Sequence, residues 1–309
     1  MDEKRGSIAV IGTFDGVHQG HIYLLEALKA IADKENLSPM VVTFSSHPLE
    51  TIRPEKVPPL LTPLSEKKRI LGGEGIKKIV LMDFNDTLRN MSASEFMEML
   101  RDKYRVETLL LGYDTRFGHD RPDGIEAYQG IGEKIGINVL QAQEFIRAGI
   151  PVSSSSIRKS LANGDIKTAN NLLGRNYSLS GTVVAGKQLG RKIGFPTANI
   201  SLIEPKQLTP KPGVYAVTVQ LQDLKKYDGI LNIGFRPTVD KSDIPRLTLE
   251  VHILGFSGDL YGQDIKIEFI DRIRDEQKFN GIDELRSQLA LDAETAQSIL
   301  AQSTGKSFR

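Results

Sequence analysis

Two hydrophobic grammars divide the chain. From Ile8 to about Ile150, apolar runs (IAVI, MVVTF, KKIVLM, TLLLG, INVLQAQEF) alternate with segments whose apolar residues recur at helical spacing, such as HIYLLEALKAIADKE, SASEFMEMLRDKY and DGIEAYQGIGEKIG. Continuous apolar strands between amphipathic helices predict a parallel sheet covered on both faces, with its ligand site in the loops at the carboxyl ends of the strands. The run of serines from Ser153 to Ser156 offers N-cap hydroxyls to one helix, predicted to run through IRKSLANGDIKTANNLL and to end at Gly174. Beyond Tyr177 the segments are short and alternating (SLSGTVV, GVYAVTVQL, YDGILNIG, RLTLEVHIL, QDIKIEFIDRI) and parted by Gly, Pro and Asp turns, which predicts an antiparallel sheet or barrel. The closing FNGIDELRSQLALDAETAQSILAQ predicts a helix or two packed on that barrel.

Length and composition narrow the class. A chain of 309 residues is about twice the ~150-residue domain prior and implies two domains. Cysteine is absent, which excludes disulfides, thiolate zinc sites and a cysteine nucleophile and suits a reducing cytoplasm. The net charge is +1, with 23 basic against 23 acidic residues up to Tyr177 and 17 against 16 after it. Neither part carries a generic nucleic-acid footprint. The first apolar run stops at Gly12, short of a signal peptide or a bilayer span, so a soluble, unexported protein without membrane or nucleic-acid partners is expected.

Three constellations carry chemistry. Gly12-Thr13-Phe14-Asp15-Gly16-Val17-His18-Gln19-Gly20-His21 joins the first strand to the first helix, where unpaired N–H groups and the helix dipole favour a phosphate. Two histidines three apart can both donate to phosphoryl oxygens. The bland alternative is a helix-capping histidine beside a surface one, and an H-x-x-H zinc site lacks an obvious third ligand. Gly186 to Asn199 (GKQLGRKIGFPTAN) gathers three glycines, three cations and a Pro-Thr pair, yet is no P-loop, and by itself reads more often as a structural turn than as a ligand loop. In LTLEVHIL, Glu250 alternates with apolar neighbours and so projects from the polar face of a strand, a position that by itself reads as a solvated glutamate.

GTFDGVHQGH resembles the G-x-F-D-G-x-H-x-G-H signature of the adenylyltransferase module of bacterial bifunctional riboflavin kinase/FAD synthetases. His47-Pro48, the PLLTPLSEK segment, LGYDTRFGHDRPDG and VSSSSIRKSL follow in the family's order. GRKIGFPTANI, GVYAV, NIGFRPT, LEVHILGFSGDLYG and IRDEQKF resemble its riboflavin kinase module. The resemblance implies an α/β chain with an N-terminal Rossmann-like nucleotidylyltransferase domain over residues 1–177. A C-terminal antiparallel β-barrel riboflavin kinase domain with a terminal helix would then span 178–309. It implies that riboflavin is phosphorylated to FMN and FMN adenylylated to FAD, with ATP as co-substrate and Mg²⁺ as cofactor, in a cytoplasmic monomer or weak homo-oligomer.

By the same resemblance Gly12, Thr13, Phe14, His18, His21, Ser155, Ser156 and Arg158 hold ATP for adenylyl transfer, and Asp114, Phe117 and Arg121 meet the flavin there. Gly186, Gly190, Arg191, Gly194, Pro196, Thr197 and Asn199 hold ATP in the kinase, with Thr197 and Asn199 on the metal. Glu250 is the kinase's general base, and Arg272, Arg274, Glu276 and Phe279 meet its flavin. The chain departs from the family at Ser45-Ser46, where Asp-Pro is common, and at Thr115, where an aromatic is common. A different H-x-G-H nucleotidylyltransferase with an unrelated β-domain, or a non-catalytic flavin-nucleotide sensor, are the competing readings.

Overall fold

The computed structural model describes residues 6–147, 149–186, 190, 194–236 and 246–303, the side chains of 150, 236 and 246 excepted. The chain divides into two compact units, Met1–Ser154 and Ser155–Arg309.

The first unit is a parallel five-stranded sheet. Its strands are β1 (Ser7–Ile11), β2 (Ser38–Phe44), β3 (Lys78–Met82), β4 (Val106–Leu111) and β5 (Asn138–Gln141), in the order β3-β2-β1-β4-β5. The helices are α1 (Gln19–Glu35), the short α2 (Leu49–Ile52), α3 (Leu64–Gly73), the short α4 (Asp86–Asn90), α5 (Ala93–Tyr104) and α6 (Gly124–Ile135). Both sheet faces are apolar because both are covered. Ile8 and Val10 of β1 pack with Leu24, Leu25 and Leu28 of α1 and with Ile70 and Leu71 of α3, while Ala9 and Ile11 pack with Phe96, Met97 and Leu100 of α5 and Tyr128 of α6. Successive strands leave β1 on opposite sides, so the switch point lies between β1 and β4 and the loops after those two strands flank it. A small hairpin, β6 (Ile146–Arg147) and β7 (Ile150–Pro151), was not predicted.

The single helix expected after the serine run is instead two, α7 (Ser154–Asn163), which begins at the division, and α8 (Ile166–Leu173). Gly164 adopts φ +78°, and Asp165 starts a new helix by accepting the Thr168 N–H at 3.0 Å. Gly164 also has no room for a side chain, since a methyl there would lie 2.6 Å from Arg272 Cδ. Gly174 ends α8 at φ +73°, as the sequence indicated. The buried Asn170 of α8 donates to Phe269 O (2.9 Å) and accepts from Tyr177 N (2.7 Å).

The strands β8 (Ser178–Val184), β9 (Ala198–Leu202), β10 (Gly213–Gln220), β11 (Lys226–Arg236), β12 (Arg246–Ile253) and β13 (Asp264–Arg274) close an antiparallel barrel in the order β10-β11-β12-β9-β8-β13. Closure leaves no free sheet edge. Tyr215, Val217 and Val219 alternate with Val214 and Ala216 along β10. The first set is fully buried, as are Ile233, Val251, Ile267 and Phe269, each contributing about 1.5–3 kcal/mol. The second set packs on Ala296 and Leu300 of a single terminal helix, α9 (Ile282–Ser303). Asp292 of α9, 1% exposed, takes a two-pronged contact from Arg274 (2.9 and 2.8 Å) and a third donor from Gln288 (2.9 Å).

Candidate active sites

In the first unit, Gly12 leaves β1 and the chain turns through three residues of positive φ, Phe14 (49°), Gly16 (87°) and Val17 (35°). Such a conformation is strained for a β-branched residue and persists only where neighbours enforce it. The buried Asp15 supplies that force by accepting from Leu61 N at 3.0 Å and Thr62 N at 3.1 Å, while Ser154 Oγ donates to Asp15 O at 2.8 Å. The loop delivers His18 to the N-cap of α1. The cap is reciprocal: His18 Nδ1 accepts from His21 N and His21 Nδ1 accepts from His18 N, both at 3.3 Å, with the rings stacked 3.7 Å apart. The capping role foreseen as an alternative for one histidine is thus shared by both. It also sets their chemistry, because a ring whose Nδ1 accepts a backbone N–H carries its proton on Nε2. Two Nε2–H donors are therefore fixed at one helix start. Gly20 lets this happen, since a methyl there would stand 3.1 Å from Val152 O and 3.3 Å from the His18 ring.

Beneath the loop, Lys67 of α3 is buried and donates to Thr13 O (3.0 Å), Phe44 O (3.2 Å) and Thr43 Oγ1 (3.3 Å). Burial pushes its pKa below the ordinary lysine range, and the Asp15 carboxylate partly opposes that. Across the switch point, the loop after β4 carries Asp114 and Arg121, both exposed. Phe117 of that loop is instead turned into the core, against Phe96 and Tyr128, and its backbone N–H and C=O are both bonded by the Tyr128 hydroxyl.

In the second unit the register aligns three polar residues on adjacent strands, Asn199 of β9, Glu250 of β12 and Asn232 of β11. Their neighbours Leu249 and Val251 are buried, so the row lies on the outward face. Gly186 lies against this row and Gly190 against Thr197. A methyl at Gly186 would overlap the Asn199 amide, and one at Gly190 would lie 3.4 Å from Thr197 Oγ1. His252, two residues beyond Glu250, holds Pro196 by a 2.7 Å contact from Nδ1 to the carbonyl, which makes Nδ1 the donor. Glu276 reaches the same face, since a methyl at Gly234, two residues after Asn232, would overlap its carboxylate. Among the described residues no cluster of three or more His, Cys, Asp or Glu could hold a metal, and no helix is long and apolar enough to cross a membrane.

Comparison with known proteins matches these two sites one to each unit. A family profile described as FAD synthetase matches residues 1–156, and one described as riboflavin kinase matches 173–300. The bifunctional riboflavin kinase/FMN adenylyltransferase of Escherichia coli (strain K12) is 40% identical over 294 residues, 95% of this chain and 92% of that one. This chain belongs to that family. The counterpart from Bacillus subtilis (strain 168) is 34% identical over 96% of this chain and 93% of its own. A crystal structure described as a macrolide-efflux protein from Streptococcus pneumoniae superposes with a TM-score of 0.86 at 31% identity, covering 96% of this chain and 95% of that one.

The structure brings Gly12, Thr13, Phe14, His18 and His21 together in the first unit. In the second it gathers Gly186, Gly190, Pro196, Thr197, Asn199, Glu250 and Glu276, with Gly194 in the same loop at φ +84°. Ser155, Ser156 and Arg158 stand on α7. Arg191 lies outside the described residues. Arg272 is engaged with Pro212 O (2.8 Å) and Asp275 (2.7 Å) and lies over the Tyr215 ring. Arg274 is engaged with Asp292 and stacks on Phe279 at 5.7 Å. At the two departures, the Ser45 hydroxyl donates to the Asp83 carboxylate, and Thr115 folds back so that its N–H bonds Gly112 O at 3.1 Å. Sequence reasoning assigned no role to Asp15, Lys67 or Asn232. Asp15 lies inside the G-x-F-D-G motif and Lys67 closes the PLLTPLSEK segment, but in SEKKR it reads as one more surface lysine.

Proposed function

We propose that the chain makes FAD from riboflavin in two ATP-dependent steps, with residues 1–177 carrying adenylyl transfer and 178–309 the kinase. The carrying observation is the pair of phosphate-type sites, each coinciding with its own family profile.

In the kinase step a ribityl hydroxyl oxygen of riboflavin attacks the γ-phosphorus of ATP, ADP leaves, and Glu250 accepts the hydroxyl proton. Asn232 and Asn199 flank Glu250 and orient it. The Thr197 hydroxyl and the Asn199 amide oxygen are hard donors of the kind Mg²⁺ takes together with substrate phosphates, and these two residues would hold it. When bound there, Mg²⁺ supplies charge neutralisation at the transferring phosphoryl group. His252 holds Pro196 so that Thr197 keeps its place.

In the second step a phosphate oxygen of FMN attacks the α-phosphorus of ATP and pyrophosphate leaves. No nucleophile is needed from the protein, whose task is to align two anions and stabilise the charge that develops. The two Nε2–H donors suit that task. Ser155, Ser156 and Arg158 keep the phosphate-binding role implied by their motif, and Asp114 and Arg121 the flavin side. The enzyme is read as a cytoplasmic monomer or weak homo-oligomer acting on small molecules. Purified protein incubated with riboflavin, Mg-ATP and pyrophosphatase, followed by chromatographic separation of flavins, should yield FMN and then FAD; formation of neither defeats the reading.

A further inference from the structure

The segment Leu61–Lys67 contains a motif to which neither reaction assigns a part. It grips the loop after β1 at two points. Leu61 N and Thr62 N hold the Asp15 carboxylate, and Lys67 holds the Thr13 carbonyl. Lys67 differs from its neighbours: Lys68 and Arg69 are exposed, and Arg69 pairs with Glu66 at 2.7 Å, whereas Lys67 turns inward. Its three N–H donors meet three acceptors, Thr13 O, Phe44 O and Thr43 Oγ1, and Thr43 Oγ1 itself donates to Thr13 O at 3.1 Å. All three acceptors belong to the carboxyl ends of β1 and β2.

A buried cation is expensive, and an apolar side chain of similar length would fill the same space at lower cost. Asp15 is the charged group that acts on it. Pinning Thr13 O has a geometric consequence. In a trans peptide the C=O and the following N–H point in opposite directions, so the grip turns the Phe14 N–H away from Lys67. The ammonium also adds a positive charge under a loop meant for an anion.

We propose that Lys67 is a positioning residue for adenylyl transfer, whose three-point contact fixes the loop that receives the ATP phosphates. The proposal rests on the reading of the first unit as the FMN adenylyltransferase. Its test uses the full-length enzyme, with FAD formation from FMN as the readout and riboflavin phosphorylation as the internal control of folding. Lys67→Met should raise the KM for ATP at least tenfold, leave the KM for FMN within twofold, and leave the kinase unchanged. In the unaltered enzyme, kcat/KM for ATP should decline on the alkaline side below the ~10.4 of an exposed lysine. Burial favours the neutral amine, which Asp15 only partly opposes, and Lys67→Arg, always charged, should lose that decline. An unchanged ATP KM in Lys67→Met overturns the proposal. Should that variant lose the kinase as well, Thr43→Val decides, because at nearly unchanged volume it removes both hydrogen bonds that Thr43 Oγ1 gives the grip, from Lys67 Nζ and to Thr13 O. A threefold rise in ATP KM supports the grip and no rise overturns it. If the unaltered enzyme makes no FAD from FMN, it is the assignment of function that fails, and the role of Lys67 falls with it.

Discussion

Replacing Gly20 by alanine sets helix propensity against the geometry of the histidine pair. Alanine within a helix is favoured over glycine by up to ~1 kcal/mol. Against this, the new methyl would stand 3.1 Å from Val152 O and 3.3 Å from two atoms of the His18 ring. Neither neighbour yields easily. Val152 O is backbone, and His18, 5% exposed, is stacked on His21 and locked into the reciprocal cap. Overpacking of this kind costs about 1–3 kcal/mol, so the variant should lose about 1 kcal/mol of stability net. The functional effect should be larger. A 1 Å misplacement of a catalytic group costs about 10²-fold, so a shift of a few tenths of an ångström should lower adenylyl transfer about five- to tenfold. The assay is initial-rate FAD formation from FMN and ATP, beside riboflavin phosphorylation on the same preparation. Full FAD activity together with a raised melting temperature would refute the claim that Gly20 is there to seat His18.

Two further substitutions probe the second unit. Asp292→Asn leaves the Arg274 guanidinium partly buried opposite an amide, and should destabilise the barrel by about 3 kcal/mol, lowering its melting transition by about 6–12 °C in calorimetry; an unmoved transition would contradict the pairing. His252→Ala removes one hydrogen bond to Pro196 O, worth about 1 kcal/mol, and should raise the kinase KM for ATP about fivefold while FAD formation from supplied FMN is untouched.

What the sequence conveyed followed from local rules. Period-2 alternation in LTLEVHIL put Leu249, Val251 and Ile253 inside and Glu250 outside, and the buried runs of the first half gave a covered parallel sheet. Strand order was not legible, because pairing β1 with both β2 and β4 depends on which faces the helices cover. The helix through LANGDIK was misjudged as continuous. The break falls at Asn-Gly-Asp, where Gly164 takes a positive φ and Asp165 caps the next helix, while the side chain that crowds Gly164, Arg272, comes from a strand more than a hundred residues away. The same holds for the sites. Motifs marked His18, His21, Thr197, Asn199 and Glu250, each on a loop, strand or helix start whose local pattern is plain. Lys67 and Asn232 take their surroundings from tertiary contacts, and Arg272 and Arg274 turn out to be occupied by Asp275 and Asp292.

The central claim is that two independent sites act in sequence, and complementation between two damaged enzymes tests it most directly. Glu250→Gln should make FAD from FMN but nothing from riboflavin, and His21→Ala should convert riboflavin to FMN and stop there. Mixed together with riboflavin and Mg-ATP, they should restore FAD formation, since FMN released by one is substrate for the other. Loss of both reactions in either single variant, or a mixture that still makes no FAD although each retains its own step, would contradict the account.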